Sequence, residues 1–366
     1  MRPQHHLTHP RVLHPGAWWL WSLGLAAAAS RTTNPVPLVL IIVVTWFVVQ
    51  LRRGDNPWAA SYAMFFKLAL LVIAIHVVFQ ALLSTQSQGL TVLFTLPEIT
   101  LPASTGIKIG GVVTLEAVLN AVYFGLQLAA IFCCIGAANA LGSARRLLRY
   151  MPAALYEIGI AAVIALTFAP QLVTDAGRVR SAAKLRGSRR GLGQFGRLAM
   201  PIVEGALERS VDLAAAMDSR GYGRTTAESP AARRVTAGLV LTGSFGVLVG
   251  VYGLLTAHGF GVPLLALGVV LGVVGLRLGG RRSGRTRYRP DPWALPELLA
   301  VGCGVVAATL MFVTASRHPE LLSLASPTDL PPVPLLACLG ILVGLLPAFV
   351  TPPLPDTSGV REDGSR

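Results

Sequence analysis

A chain of 366 residues that is 53% apolar, with mean hydropathy +0.61, is too apolar for a soluble domain that needs a polar skin. Charge is sparse and one-sided: 13% of residues are charged, yet the formal net charge is +14. The cations lie between apolar runs with no interleaved aromatic groove, which argues against a nucleic-acid partner and for a polytopic helical protein in a lipid bilayer.

The first apolar run, 13–30, is short and alanine-rich and follows a start bearing His5, His6, His9 and His14. It leads straight into a second run, against a cleaved leader peptide. A start of this kind is read as disordered rather than as a metal site. The second run, 36–51, is closed by Arg52 and Arg53. The third and fourth are 59–83 and 112–138, and only Glu98 and Lys108 charge the loop between them. Cations concentrate on the cytoplasmic side, so that loop is expected outside, with Arg52, Arg53 and the N-terminus inside. The fourth run then brings Arg145, Arg146 and Arg149 to the inside. Glu116, Asn120, Tyr123 and Gln127 fall on one face of it, and His76 and Gln80 lie one turn apart in the third run. Both sets are expected to hydrogen-bond within the helix bundle.

The run 152–170 is apolar but short, holds Glu157 and has basic sequence on both sides. A helix buried at the cytoplasmic interface or partly re-entrant, covered by protein, is expected there. From 171 to 234 the chain turns polar, and one feature occurs twice. A helix-compatible run ends in an arginine followed by glycine, at Leu185-Arg186-Gly187 and again at Ser219-Arg220-Gly221. Glycine takes the left-handed conformation of a helix C-cap without penalty, and a cation near the last carbonyls is favoured by the helix dipole. Each arginine is therefore expected at a helix tip. Met200, Val203, Leu207, Val211, Ala214 and Met217 recur at three- and four-residue spacing, one apolar stripe of an amphipathic helix, with Glu204, Glu208 and Asp212 on another face. Arg178, Arg180, Arg189 and Arg190 are read as solvated or lipid-facing charge.

Four more apolar runs follow, at 235–257, 262–278, 293–315 and 333–350, for eight expected spans with both termini inside. Gly243, Gly246, Gly250 and Gly253 have the spacing of close helix packing. Six arginines between 277 and 289 mark a cytoplasmic loop. The division expected is 1–140 membrane helices, 141–234 a cytoplasmic or interfacial helical module, 235–352 membrane helices, and 353–366 a disordered cytoplasmic tail. The fold class is all-α. Cys133, Cys134, Cys303 and Cys338 all lie in apolar runs and read as buried small hydrophobes, without metal-ligand spacing.

Lysine occurs only at 67, 108 and 184, none of them in a GxxxxGK[ST] loop, and neither HExxH nor a nucleophile elbow is present. The chain is thus not read as an enzyme, no cofactor is expected, and an energised function would need an ATPase supplied by another chain.

The paired arginine motifs, above all Leu213-Ala214-Ala215-Ala216-Met217-Asp218-Ser219-Arg220-Gly221-Tyr222-Gly223, resemble those of the transmembrane (T) component of energy-coupling factor transporters, the cobalt and vitamin transport permeases. The resemblance extends to His14-Pro15, Asn34-Pro35, Phe168-Ala169-Pro170 and a proline-broken helix at Pro201, over roughly residues 10 to 260. One departure is Leu185, where the family has a small residue. The resemblance implies a bacterial inner-membrane scaffold whose coupling helices dock two ABC-type ATPase subunits. Arg186 and Arg220, with their neighbours Leu185, Gly187, Ser219 and Gly221, would form the contacts, supported by Met217, Asp218 and Tyr222. A separate small membrane subunit would capture a vitamin or transition-metal ion. The three runs after Val262 exceed the family core. The competing expectations are a conventional ABC permease with its own substrate path, or a membrane enzyme acting on lipid, which would need acids or histidines clustered near one interface.

Overall fold

The computed structural model describes residues 13–52, 61–82, 91–100, 108–142, 147–148, 156–185, 194–222, 230–255, 261–282, 293–324 and 326–352. The elements are α1 (Pro15–Ala29), α2 (Pro35–Arg52), α3 (Ser61–Leu82), β1 (Val92–Thr100), β2 (Lys108–Thr114), α4 (Leu115–Leu141), α5 (Tyr156–Leu185), α6 (Gln194–Ser219), α7 (Pro230–Leu255), α8 (Gly261–Arg282), α9 (Leu295–Arg317), a 3-10 turn (Pro319–Leu321), α10 (Leu335–Val343) and α11 (Pro347–Val350). Six helical stretches are long and apolar enough to cross a membrane, so the protein is an all-α, multi-pass membrane protein as expected.

Two compact units emerge, Met1–Leu147 with Pro290–Arg366, and Leu148–Arg289. The first brings together segments far apart in sequence. Its core holds Trp21, Leu25, Leu38, Ile41, Val44, Val48, Cys133, Cys134, Met311 and Ile341, from both ends of the chain. The last apolar runs, without a role in the sequence reading, thus complete the N-terminal bundle: α9 packs on α1, and α10 on α2 and α9. Close approach of α1 and α9 is possible because glycine faces glycine. A Cβ on Gly24 would stand 2.4 Å from the carbonyl oxygen of Gly304, and one on Gly304 2.7 Å from the Cα of Trp21. Trp21 Nε1 donates to the Gly344 carbonyl at 3.2 Å, and Ser22 Oγ to that of Cys134.

Both X-Pro pairs start helices. Proline at the first helical position gives up an amide that has no partner there, and the residue before it caps the next one. His14 is buried, its Nδ1 accepts from the Gly16 N–H at 3.0 Å, and its ring lies 4.9 Å from that of Trp293. The disordered start expected of the histidines therefore does not include His14; His5, His6 and His9 lie outside the described residues. Asn34 is fully buried. Its Oδ1 accepts from Val36 N–H at 3.0 Å, while Nδ2 donates to the carbonyls of Leu321 and Pro332 at 2.9 and 2.7 Å. Arg52 closes the other end of α2 by donating to the carbonyls of Ala348 (2.9 Å) and Pro352 (3.0 Å).

The loop expected between the third and fourth runs contains a hairpin. β1 and β2 pair antiparallel, from Val92 opposite Thr114 to Thr100 opposite Lys108, with irregularities between Leu96 and Ile99. The β-branched run Val112-Val113-Thr114 favours strand, and Gly110 and Gly111, at φ 90° and 112°, adopt backbone angles that side chains disfavour. The fourth helix therefore begins at Leu115 rather than at 112, capped by Thr114 Oγ1, which accepts from Ala117 N–H at 3.4 Å.

In the second unit α5 packs on α6, and α7 on α8. The α7–α8 contact is the close packing read from the glycines: Cβ atoms on Gly243, Gly246 and Gly250 would meet the backbone of Gly272, Gly268 and Leu265 at 2.4, 3.0 and 2.5 Å. The six stretches of spanning length do not coincide with the eight expected: the runs 13–30, 262–278 and 333–350 are not among them, the last two giving only shorter apolar helices, while 158–185 is. α1, 15 residues and about 22 Å long, is shorter than a bilayer core and packs against α4 and α9, with Leu20 and Leu23 left exposed. Of the run 152–170, expected as an interfacial or partly re-entrant helix, the described residues from Tyr156 belong to the 30-residue α5, which continues through Pro170, and its stretch Ile158–Leu185 has spanning length and hydropathy. One proline removes one ladder hydrogen bond, which a helix of eight turns can sustain. Likewise α6 is not broken at Pro201.

Candidate functional site

α6 ends as its sequence requires. Gly221 has φ 76°, its N–H donates to the Asp218 carbonyl at 2.8 Å, and the Tyr222 N–H reaches back to the Met217 carbonyl at 3.0 Å. This pair of bonds is a Schellman closure, with Arg220 as the C-cap and Gly221 as the left-handed residue. No side chain at 221 could adopt that angle cheaply, so the helix stops there and the chain turns away. Asp218, Ser219 and Arg220 are exposed at the tip, Met217 is half-buried, and Tyr222 is exposed. Ser219 Oγ donates back to the Ala216 carbonyl at 2.9 Å.

α5 runs to Leu185, whose side chain is 91% exposed. Arg186 and Gly187, like Arg189 and Arg190, lie outside the described residues. Arg178 and Arg180 are exposed, as read.

α6 is amphipathic in the register expected, and its apolar stripe is left uncovered by this chain: Met200, Val203, Leu207 and Val211 are all more than half exposed. Glu204, Glu208 and Asp212 are exposed too. An open apolar groove runs between α5 and α6, lined by Leu172, Val173, Ala176, Ile202, Ala206 and Leu207.

One contact at this site was not read from the sequence. Arg209 Nη2 of α6 lies 2.5 Å from Asp175 Oδ2 of α5, and Arg209 Nε donates to the Gly205 carbonyl at 2.9 Å. Asp175 Oδ1 faces Arg178 at 3.4 Å. The signal was present, since Asp175 is the only acid in 158–203 and Arg209 the only cation in 198–219. Only the tertiary structure brings these two lone charges together.

Three of the four polar residues singled out in α4, Glu116, Tyr123 and Gln127, bond within their own unit, as expected. Gln127 Nε2 donates to the Ala29 and Ser30 carbonyls at 3.3 and 3.1 Å, closing the end of α1. Tyr123 Oη donates to the Pro327 carbonyl at 3.0 Å, and Glu116 Oε1 accepts from Thr91 Oγ1 at 2.7 Å. Asn120 is exposed. His76 Nδ1 meets the Val72 carbonyl of its own helix at 3.2 Å, and Gln80 is half-buried. All three cysteines at 133, 134 and 303 are buried, and Cys338 is half-buried. Among the described residues no three His, Cys, Asp or Glu side chains are grouped to hold a metal ion.

Compared with known proteins, the chain matches the family model CbiQ, described as cobalt transport protein, over residues 7–230. No curated protein matches it. The match covers more than half of the chain and takes in α1 to α6, with both arginine motifs and both X-Pro helix starts. It leaves out α8 to α11. The family match and the resemblance carried by the arginine motifs agree: this chain belongs to the cobalt transport protein family, CbiQ, the T-component permeases, and is a membrane component of a transport system.

Proposed function

We propose that the protein is the scaffold and coupling subunit of an energy-coupling factor importer, passing ATP-driven movement from two partner ATPases to a separate substrate-binding membrane subunit. The observation that carries this reading is the tip of α6, where a Schellman closure at Gly221 leaves Arg220 exposed at the end of a rod. A guanidinium there presents a rigid fork of donors that can hold a carboxylate or helix-end carbonyls of another protein while staying charged. Arg186, before Gly187, supplies the second tip. Leu185 ends α5, Ser219 and Gly221 shape the tip of α6, and Met217, Asp218 and Tyr222 flank that tip.

The cargo is a cobalt ion or another transition-metal ion, or a vitamin, captured by the separate subunit. The complex sits in a bacterial inner membrane with both termini and the two arginine tips on the cytoplasmic side, where the arginine-rich segments belong, and the β1–β2 hairpin outside. The exposed apolar stripe of α6 supports a partner or lipid on that face.

The test is affinity purification from membranes in mild detergent. The wild-type chain is expected to bring two ABC-type ATPases and a small membrane protein with it. Arg186→Glu with Arg220→Glu is expected to lose the ATPases at unchanged membrane abundance, because truncating a buried charged contact costs about 2–5 kcal/mol and reversing it costs no less. ATPases retained at wild-type levels by the double variant would overturn the docking role.

A further inference from the structure

We propose that the Asp175–Arg209 ion pair is the latch that sets how α5 and α6 cross, and so how far the end of α5 at Leu185 stands from the tip of α6 at Arg220. The inference rests on the coupling reading above. Arg209 is held at both sides of its fork, by Asp175 at 2.5 Å and by the Gly205 carbonyl at 2.9 Å. The Asp175 side chain is only 19% exposed, so solvent screens the pair less than it would at an open surface. It is the only hydrogen bond or ion pair joining α5 to α6 among the described residues.

Packing at this crossing is sparse. Val173, Val203 and Leu207 stay exposed beside it, and the groove along it is open. The contrast with α7 and α8 is direct, because there glycines bring the two backbones into contact. Where side chains do not interdigitate, a single charged contact is left to choose the angle.

The two arms beyond the pair are equal in sequence. Arg186 follows Asp175 by eleven residues (186 − 175), and Arg220 follows Arg209 by the same number (220 − 209). Leu185, the last described residue of α5, follows Asp175 by ten residues (185 − 175), so the ends of both helices lie about three turns, about 15 Å, past their latch residues. A change of crossing angle at the pair therefore moves both ends by similar amounts. Asp175 and Arg209 act as positioning residues, and neither needs to touch an ATPase or the cargo.

The test uses the full chain purified with its partner subunits. Asp175→Arg, Arg209→Asp and the combined exchange are compared for cobalt-ion uptake and for ATPase rate, with Asp175→Asn as a milder variant should the reversals fail to fold. Spin labels at Ser181→Cys and Ala214→Cys, in a chain whose four native cysteines are replaced by alanine, report the spread between the arms. Each single reversal is expected to lower uptake at least tenfold, leave ATPase rate within twofold, and broaden the label-to-label distance. The exchange is expected to restore both uptake and distance. Unchanged uptake and an unchanged distance in the single reversals would overturn the latch, as would an exchange that restores neither. If no ATPase accompanies the wild-type chain, the coupling reading fails by itself, and the label distances still decide whether the ion pair sets the crossing.

Discussion

The helix pairs α1–α9 and α5–α6 make opposite use of their apolar residues. Between α1 and α9, Gly24 meets Gly304 and backbones touch, while Trp21, Leu25 and Met311 are completely covered. Between α5 and α6, a groove stays open, one ion pair spans it, and Met200, Val203, Leu207 and Val211 face outward. The first pair is finished within its own chain. The second has an amphipathic face that the chain itself leaves uncovered, which is the state of an element that works through partners.

That comparison can be broken most severely by putting a side chain where two backbones meet. Gly304→Leu is expected to cost at least about 3 kcal/mol, since its Cβ would press on the backbone of Trp21 with no flexible side chain to yield. Loss of a monodisperse detergent peak and a lower Tm would show it. Gly205→Ala, at the α5–α6 crossing, is the control: its Cβ would meet only Arg209 Nη2, at an ordinary 3.8 Å, so Tm should hold or rise slightly. Equal effects of the two substitutions would erase the distinction between the pairs.

A smaller effect is expected from Asn34→Ala. It removes a cap of α2 and strips the Leu321 and Pro332 carbonyls of their donor, for about 2–3 kcal/mol by thermal or denaturant unfolding. A change below about 0.5 kcal/mol would mean that the C-terminal loop does not hold the start of α2.

The smallest effect concerns the loop after α9. A hydrogen bond from its own backbone, followed by the His318 ring, lowers the Glu320 carboxyl below its ordinary range. A carboxyl lowered on folding contributes stability above its unfolded pKa and loses it as pH falls through the folded value. The Tm difference between wild type and Glu320→Gln should therefore be present at neutral pH and fade as pH falls below the ordinary glutamate value of about 4.3. A difference that grows as pH falls would reverse the sign.

Much of this was legible because it is local. Gly221 ends α6 through its own backbone freedom, and the three- and four-residue spacing from Met200 to Met217 places one stripe whatever surrounds it. The hairpin at 92–114 was less legible: it lies between two apolar runs, and Val112 and Val113 suit a membrane helix as well as a strand. Pro170 closes one apolar run and Pro201 reads as a break, yet long helices carry one missing hydrogen bond each.

What sequence alone determined is therefore the membrane class, the glycine-ended arginine tip of α6 and its amphipathic face, all set by contacts within a few residues. Tertiary structure decided that α1 packs on α4 and α9, that the C-terminal helices complete the N-terminal bundle, and that Asp175 finds Arg209. Each of those depends on residues tens to hundreds of positions apart, and periodicity carries no information about which distant surface a face will meet.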